Sequence, residues 1–230
     1  MIRRAEIQKI VNGYDDLRIG VLGSHSALEI MDGAKDEGLN TIVFCQKGRE
    51  TPYQRFDRIA DEIKILKKFG DMSSAKNQKM LRDTNTMIVP HRSLTAYLGY
   101  DVIENSLKVP IFGNRALFQA EERNNRKNQY YLLKKAGIKY PKIFKNPSEI
   151  NKPAIVKVQE KKRKLERAFF TVTSFSDYKK KSESRIKQGI ISKNDLKNAV
   201  IEQLAIGTYL NFNYFHTPIS NNVDFIGIER

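Results

Sequence analysis

Two short segments place imidazole, hydroxyl and guanidinium groups where a phosphorylated ligand can be held. Gly23-Ser24-His25-Ser26 follows one apolar run, and Pro90-His91-Arg92-Ser93 follows another. If both runs are strands of one parallel sheet, both segments open at its carboxyl edge, where such sheets bind ligands. A helix starting near Ser26 would add unpaired backbone N–H groups and a dipole suited to phosphate. Gly23 permits a tight turn, and Ser24 or Ser26 can cap the helix. His25 and Ser93 are the candidates for ligand contact, while His91 reads either as a ligand group or as a loop brace. The same residues also fit a capped helix carrying an incidental histidine.

The second half offers different chemistry. Ile155-Val156-Lys157-Val158 puts a lone lysine in an apolar strand, where an unpaired charge is costly. Lys157 therefore either snorkels to the surface or meets an anion such as a nucleotide phosphate. Val200-Ile201-Glu202-Gln203-Leu204 is a second strand, running toward Gly207-Thr208, whose end can present backbone groups to an adenine edge. Taken by spacing alone, both also fit an ordinary sheet edge.

Several chemistries lack their signatures. The chain has no Walker phosphate loop and no Gly-x-Ser-x-Gly elbow. Cys45 is the single cysteine and sits in an apolar run, as a buried structural thiol would. No two histidines show ligand spacing on one element, so no metal motif is read. The formal charge of +15, from 41 basic and 26 acidic residues, favours anionic partners. No apolar stretch approaches membrane-spanning length, and the start lacks a signal-peptide core. Together with the lone thiol this points to a cytoplasmic protein.

The elements that must position these groups alternate in the first half. Strands are expected at Arg18–Leu22, 41–45, Glu62–Leu66, 87–89 and 109–112, with helices at 26–37 and 73–82. Alternating strands and helices predict a parallel, Rossmann-like α/β sheet covered on both faces. From about residue 116 the pattern changes. A long helix is expected over 121–136, ended by Gly137, followed by an antiparallel pair at 154–158 and 168–173. Helices over 175–190 and 195–198 and a strand over 199–204 complete an α+β unit. The expected domains are 1–115 and 116–230.

Read together, the segments resemble a known family along nearly the whole chain. Gly-Ser-His-Ser, Lys47-Gly48-Arg49 with Pro52-Tyr53-Gln54-Arg55-Phe56, Val89-Pro90-His91 and Val109-Pro110-Ile111-Phe112-Gly113-Asn114-Arg115 look like successive landmarks of the archaeal formate-dependent formaminoimidazole-carboxamide ribonucleotide synthetases. Lys157 and Ile201-Glu202-Gln203-Leu204-Ala205-Ile206-Gly207-Thr208 look like that family's ATP-grasp lysine strand and adenine hinge. The resemblance implies a Rossmann-like pre-ATP-grasp domain followed by an incomplete α+β ATP-grasp domain. It implies a carbon–nitrogen ligase that uses ATP, Mg2+ and formate to formylate aminoimidazole-carboxamide ribonucleotide through formyl phosphate. His25 and Ser93 would contact the ribonucleotide, Lys127 and Lys157 the ATP phosphates, and Glu202, Gln203 and Leu204 the adenine.

Two departures from the family pattern matter. Residues 159–167 read Gln-Glu-Lys-Lys-Arg-Lys-Leu-Glu-Arg where members carry a glycine-rich phosphate loop. Side-chain charge replaces backbone N–H groups there, or the loop is an exposed basic hairpin. The family's magnesium-binding carboxylate and amide fall beyond Arg230, so the 230-residue chain is expected to be inactive in ligation by itself. The alternatives are a ligase of the same fold with another acid or nucleotide, and a non-catalytic nucleotide- or RNA-binding protein. The basic stretch lacks the interleaved aromatics of single-strand platforms, which speaks against nucleic acid.

Overall fold

Apolar runs at Arg18–Leu22 (β1), Asn40–Gln46 (β2), Glu62–Leu66 (β3) and Thr86–Ile88 (β4) pair in parallel in the computed structural model, in the order β3-β2-β1-β4. The structure describes residues 1–24, 26–121, 125–158, 169–216 and 222–230. The chain divides into two compact units, Met1–Gln119 and Ala120–Arg230.

In the first unit a helix at Arg4–Val11 (α1) precedes the sheet, and the later helices are Ala27–Asp36 (α2), Thr51–Arg55 (α3), Ala75–Asp83 (α4) and Arg92–Leu98 (α5). Parallel pairing needs crossovers, and helices laid over both faces force the strands to be apolar in both phases. Successive residues of β1 and β2 therefore bury in different clusters. Leu22, Ile42 and Phe44 join Leu66, Phe69, Leu81 and Ile88, while Val21, Val43 and Cys45 join Ala27, Met31 and Tyr53. Gly20 is required in β1, because a Cβ there would lie 2.6 Å from the Thr86 side chain and 2.7 Å from that of Ile88.

The strand expected over 109–112 is reduced to one parallel bridge between Ile88 and Ile111. Ile88 donates to the Pro110 carbonyl and Phe112 donates to Ile88, but Pro110 has no N–H with which to extend a ladder.

The second unit contains a short helix at Gln129–Lys135 (α6), not the long one expected over 121–136. The Asn128 side chain accepts from the Tyr131 amide and so sets the helix start. Gly137, at φ +68°, ends it: Gly137 donates to Lys134 and Ile138 to Leu133. Ile143–Phe144 (β5), Ala154–Lys157 (β6), Phe170–Val172 (β7) and Val200–Gln203 (β8) form an antiparallel sheet in the order β5-β8-β6-β7. Helices Phe175–Lys187 (α7) and Lys193–Lys197 (α8) lie between β7 and β8 in the chain, and Tyr178, Ile186 and Leu196 pack on the buried cluster of Val156, Phe170, Val172 and Ile201.

Asn211–His216 (β9) and Val223–Glu229 (β10) form a separate two-stranded antiparallel sheet. Its register pairs Phe212 with Ile228, Tyr214 with Phe225 and His216 with Val223. Side chains alternate along a strand, so these pairs share one face. Five of them, Phe212, Tyr214, Val223, Phe225 and Ile228, are 55–62% exposed. No helix among the described residues is long and apolar enough to cross a membrane.

Candidate functional site

In the order β3-β2-β1-β4 the chain reverses direction across the sheet between β1 and β4, the switch point at which a parallel sheet opens a crevice. Both segments singled out by sequence flank that point. Leu22 ends β1 and His91 follows β4, and the ring of His91 joins them: its Nε2 lies 2.8 Å from the Leu22 carbonyl oxygen. Its Nδ1 accepts from the Ser93 amide at 3.2 Å, capping α5. A carbonyl only accepts and an amide only donates, so the proton sits on Nε2 and the imidazole is neutral. His91 is therefore a brace that fixes the loop carrying Ser93, whose side chain is half-buried beside it.

Gly23 has a different reason from the tight turn expected of it. Its backbone is not left-handed, and a Cβ there would stand 3.1 Å from the Tyr53 ring, 3.1 Å from Val43 and 3.2 Å from the Phe44 carbonyl. Glycine lets the loop lie against Tyr53, whose hydroxyl is pushed up to about 12 by burial. Ser26 occupies the N-cap position of α2 without a side-chain bond to the helix amides. His25 lies outside the described residues.

The remaining loops at this edge are cationic. Lys47 and Arg49 follow β2, Lys67 and Lys68 follow β3, and Arg92 follows β4, all exposed. Arg49 is held in place: its guanidinium lies 5.5 Å over the Phe69 ring and donates to the Tyr97 hydroxyl at 3.3 Å, and the two rings are 4.4 Å apart. Residues following three different strands thus meet at Arg49. Sequence reading gave Arg49 no role, because Phe69 and Tyr97 are distant in the chain. Its local signal was only the Lys-Gly-Arg run after a strand.

Arg115 serves the scaffold. Its guanidinium donates to the carbonyls of Ile103, Leu107 and Val109 at 2.8–2.9 Å, and burial lowers its pKa. Cys45 is fully buried, and burial pushes its thiol up to about 11, which suits packing rather than nucleophilic work.

The second unit holds the other group of candidates. Lys157, at the end of β6, forms an ion pair with Glu202 of β8. The other carboxylate oxygen of Glu202 accepts from the Tyr130 hydroxyl at 2.5 Å. Glu202 is 5% and Tyr130 8% exposed, while the Lys157 side chain keeps 21%. The charge in the apolar strand thus meets an anion, and in the isolated structure that anion is a carboxylate. Gln203 donates its amide to the Lys142 carbonyl and Leu204 to that of Pro153, each at 2.8 Å. Lys127 is not in a helix: it lies exposed in the turn before α6, its amide bonded to Asn125. The basic stretch 159–167 lies outside the described residues. Among the described residues no three His, Cys, Asp or Glu side chains converge as a metal site would require.

Comparison with known proteins relates this geometry to others. Residues 19–144 match the family described as "Protein of unknown function (DUF1246)", and residues 177–230 match "Domain of unknown function (DUF1297)". The chain is 41% identical over 232 residues to the 5-formaminoimidazole-4-carboxamide-1-(beta)-D-ribofuranosyl 5'-monophosphate synthetase of Methanopyrus kandleri, covering 100% of this chain and 63% of that relative. It is similar in structure to the IMP biosynthesis protein PurP from Thermococcus kodakaraensis, with a TM-score of 0.62 and 22% identity over 91% of this chain and 58% of that one. The biotin carboxylase domain of Hydrogenobacter thermophilus 2-oxoglutarate carboxylase, solved with MgADP and bicarbonate, gives a TM-score of 0.64 at 12% identity over 94% and 50%. These likenesses show the fold: a Rossmann-like α/β unit followed by an α+β unit of the ATP-grasp kind. The chain spans less than two thirds of the length of the curated relative.

Proposed function

The chain belongs to the DUF1246 family, and on that premise we propose that it carries the ribonucleotide-binding part and a share of the ATP-binding part of a ligase that formylates aminoimidazole-carboxamide ribonucleotide. The observation that supports this most strongly is that the 41% identity to a synthetase named for that reaction extends over 100% of this chain.

In this reaction an oxygen of formate attacks the terminal phosphorus of ATP, ADP leaves, and formyl phosphate results. The exocyclic amine of the ribonucleotide then attacks the formyl carbon, phosphate leaves, and the nitrogen gives up a proton. Both steps load charge on phosphate oxygens, so fixed cations and positioning do most of the protein's work. His25 and Ser93 contact the ribonucleotide in the crevice beyond β1 and β4. His91 holds that loop still, and the cationic loops with Lys47, Arg49, Lys67, Lys68 and Arg92 draw the phosphate in.

Lys157 meets the ATP phosphates, with Lys127 as a second cation, and residues 202–204 border the adenine. Because the amides of Gln203 and Leu204 already bond Lys142 and Pro153, those two N–H groups do not read the base. Magnesium is implied by the family's chemistry and would neutralise the terminal phosphates. Among the described residues the carboxylates do not gather into a site for it.

Calorimetric titration with the ribonucleotide and with ATP, each alone, tests the division of labour. His25→Ala should weaken the ribonucleotide by at least about tenfold, roughly 1.4 kcal/mol, and leave ATP nearly unchanged. Equal losses for both ligands, or none for the ribonucleotide, would refute the assignment. Tight single-stranded RNA binding that falls steeply with salt, and is flattened by changing Lys161, Lys162 and Lys164 to Ala, would instead favour an RNA-binding protein.

A further inference from the structure

We propose that Tyr130 is a positioning residue of the nucleotide site, acting on Lys157 through Glu202; this rests on the reading of Lys157 as the lysine that meets the ATP phosphates. Tyr130 stands in the first turn of α6, outside the sheet, and reaches Glu202 on β8 across seventy-two positions of sequence. It is held in that place by its own surroundings: its ring lies 5.9 Å from that of Tyr140, and only 8% of the residue is exposed.

The two oxygens of the Glu202 carboxylate are divided between two partners. One is paired with the Lys157 ammonium and the other accepts from the Tyr130 hydroxyl. A carboxylate with a single partner can pivot about its terminal torsion, which is broad and soft. With both oxygens engaged it cannot, and it keeps the ammonium at the end of β6 until a phosphate arrives. The hydroxyl has a second effect. By donating to the carboxylate it carries part of the interaction that Lys157 would otherwise have to satisfy alone. When phosphate reaches Lys157, the ammonium can turn toward it without leaving Glu202 a buried carboxylate lacking any donor. Tyr130 thus lets one lysine serve a protein carboxylate at rest and a ligand phosphate when bound.

The test uses the 230-residue chain, with ATP and adenosine as separate probes in calorimetry. Tyr130→Phe removes only the hydroxyl. It should weaken ATP by about tenfold, the scale of one hydrogen bond to a charged group, while adenosine binding stays where it was. Lys157→Ala should weaken ATP by more, again sparing adenosine. The double variant should be no weaker than Lys157→Ala alone, because the hydroxyl acts only through the lysine. A merely structural tyrosine would lower both ligands together and add its loss to that of Lys157→Ala, and either result overturns the proposal.

If Tyr130→Phe does not fold, a fluorinated tyrosine at this position keeps the ring and gives a hydroxyl that ionises at lower pH. Once ionised it repels Glu202, so ATP affinity should fall as pH rises through that ionisation, and adenosine affinity should not. An ATP affinity flat across that range overturns the proposal. The two readings fail separately. Unchanged ATP binding in Lys157→Ala, or none in the unaltered chain, removes the assignment of the lysine. A loss in Lys157→Ala without one in Tyr130→Phe removes only the role of the tyrosine.

Discussion

The parallel sheet of the first unit and the hairpin of the second are built from similarly apolar sequence and end in opposite states. In β1 and β2 both phases of the side-chain alternation are apolar, and both are buried, Val21 and Val43 on one face and Leu22 and Phe44 on the other. In β9 and β10 one phase is apolar, and it is exposed, from Phe212 and Ile228 to Tyr214 and Phe225. The sheet is held by burial against the helices that cover its faces. The hairpin is held by its ladder and its cross-strand pairs, which are worth far less each. Composition alone does not separate the two cases; the phase of the apolar residues does.

The largest effect expected from this contrast is at Phe44, which is fully buried. Phe44→Ala should cost about 3–5 kcal/mol in denaturant unfolding of the first unit. A loss below about 1 kcal/mol would mean that the sheet is not held by its core in the way described.

A middle effect is expected at Asp61, on the polar rim of the same sheet. Its carboxylate accepts from the Thr41 amide at 2.7 Å and pairs with Lys35 at 2.9 Å. Burial pulls its pKa up, but the bonds from Lys35 and Thr41 outweigh that and hold it below the ordinary 3.8. A lowered carboxyl pKa stabilises the folded state above pH 3.8, and that contribution disappears as the pH falls through the folded-state value. Asp61→Asn should cost about 1–2 kcal/mol at neutral pH. The difference from the unaltered chain should close on acidification. A gap that widened in acid would reverse the sign of the argument.

The smallest effect is expected on the hairpin. Phe212→Ala removes one member of the pair with Ile228 and should cost about 0.2–1 kcal/mol. Unfolding of the first unit should not register it, while backbone amides of β9 should exchange faster. A cost as large as that of Phe44→Ala would show that the exposed face contributes as a buried one does.

Much of the fold was legible because its signals are local. The apolar runs that became β1 to β4, the helices α2 and α4 and the pairing of β6 with β7 all follow from short-range pattern, whereas the five-residue α3 was not expected. Gly137 was read correctly as a helix end because a left-handed residue after Lys135 and Ala136 is a local requirement. Errors fell where one residue overrode a pattern. Asn128 began α6 late by capping it with its own side chain, and Pro110 kept 109–112 from becoming a strand. The hairpin was missed although Phe212, Tyr214 and His216 alternate.

At the candidate site, the ends of β1 and β4 could be found from sequence, because strand termini and hydroxyl-bearing turns are visible there. The partners could not. Lys157 called for the surface or for an anion; that Glu202 supplies the anion depends on the register of β6 against β8, and that the Tyr130 hydroxyl bonds the same carboxylate depends on a residue seventy-two positions away. That His91 braces its loop depends on the carbonyl of Leu22, sixty-nine positions away.

The open face of the hairpin also bears on how the protein behaves in bulk. A chain with a formal charge of +15 repels its own copies over about 10 Å at 0.1 M salt and over about 30 Å at 0.01 M. That long-range repulsion keeps the aromatic faces of separate molecules apart in dilute buffer. Added electrolyte shortens it without weakening the attraction between wetted aromatic surfaces. The protein should therefore be most dispersible at low ionic strength, and its light scattering should rise with salt and concentration together, opposite to the salting-in usual for a protein whose surface charges are balanced.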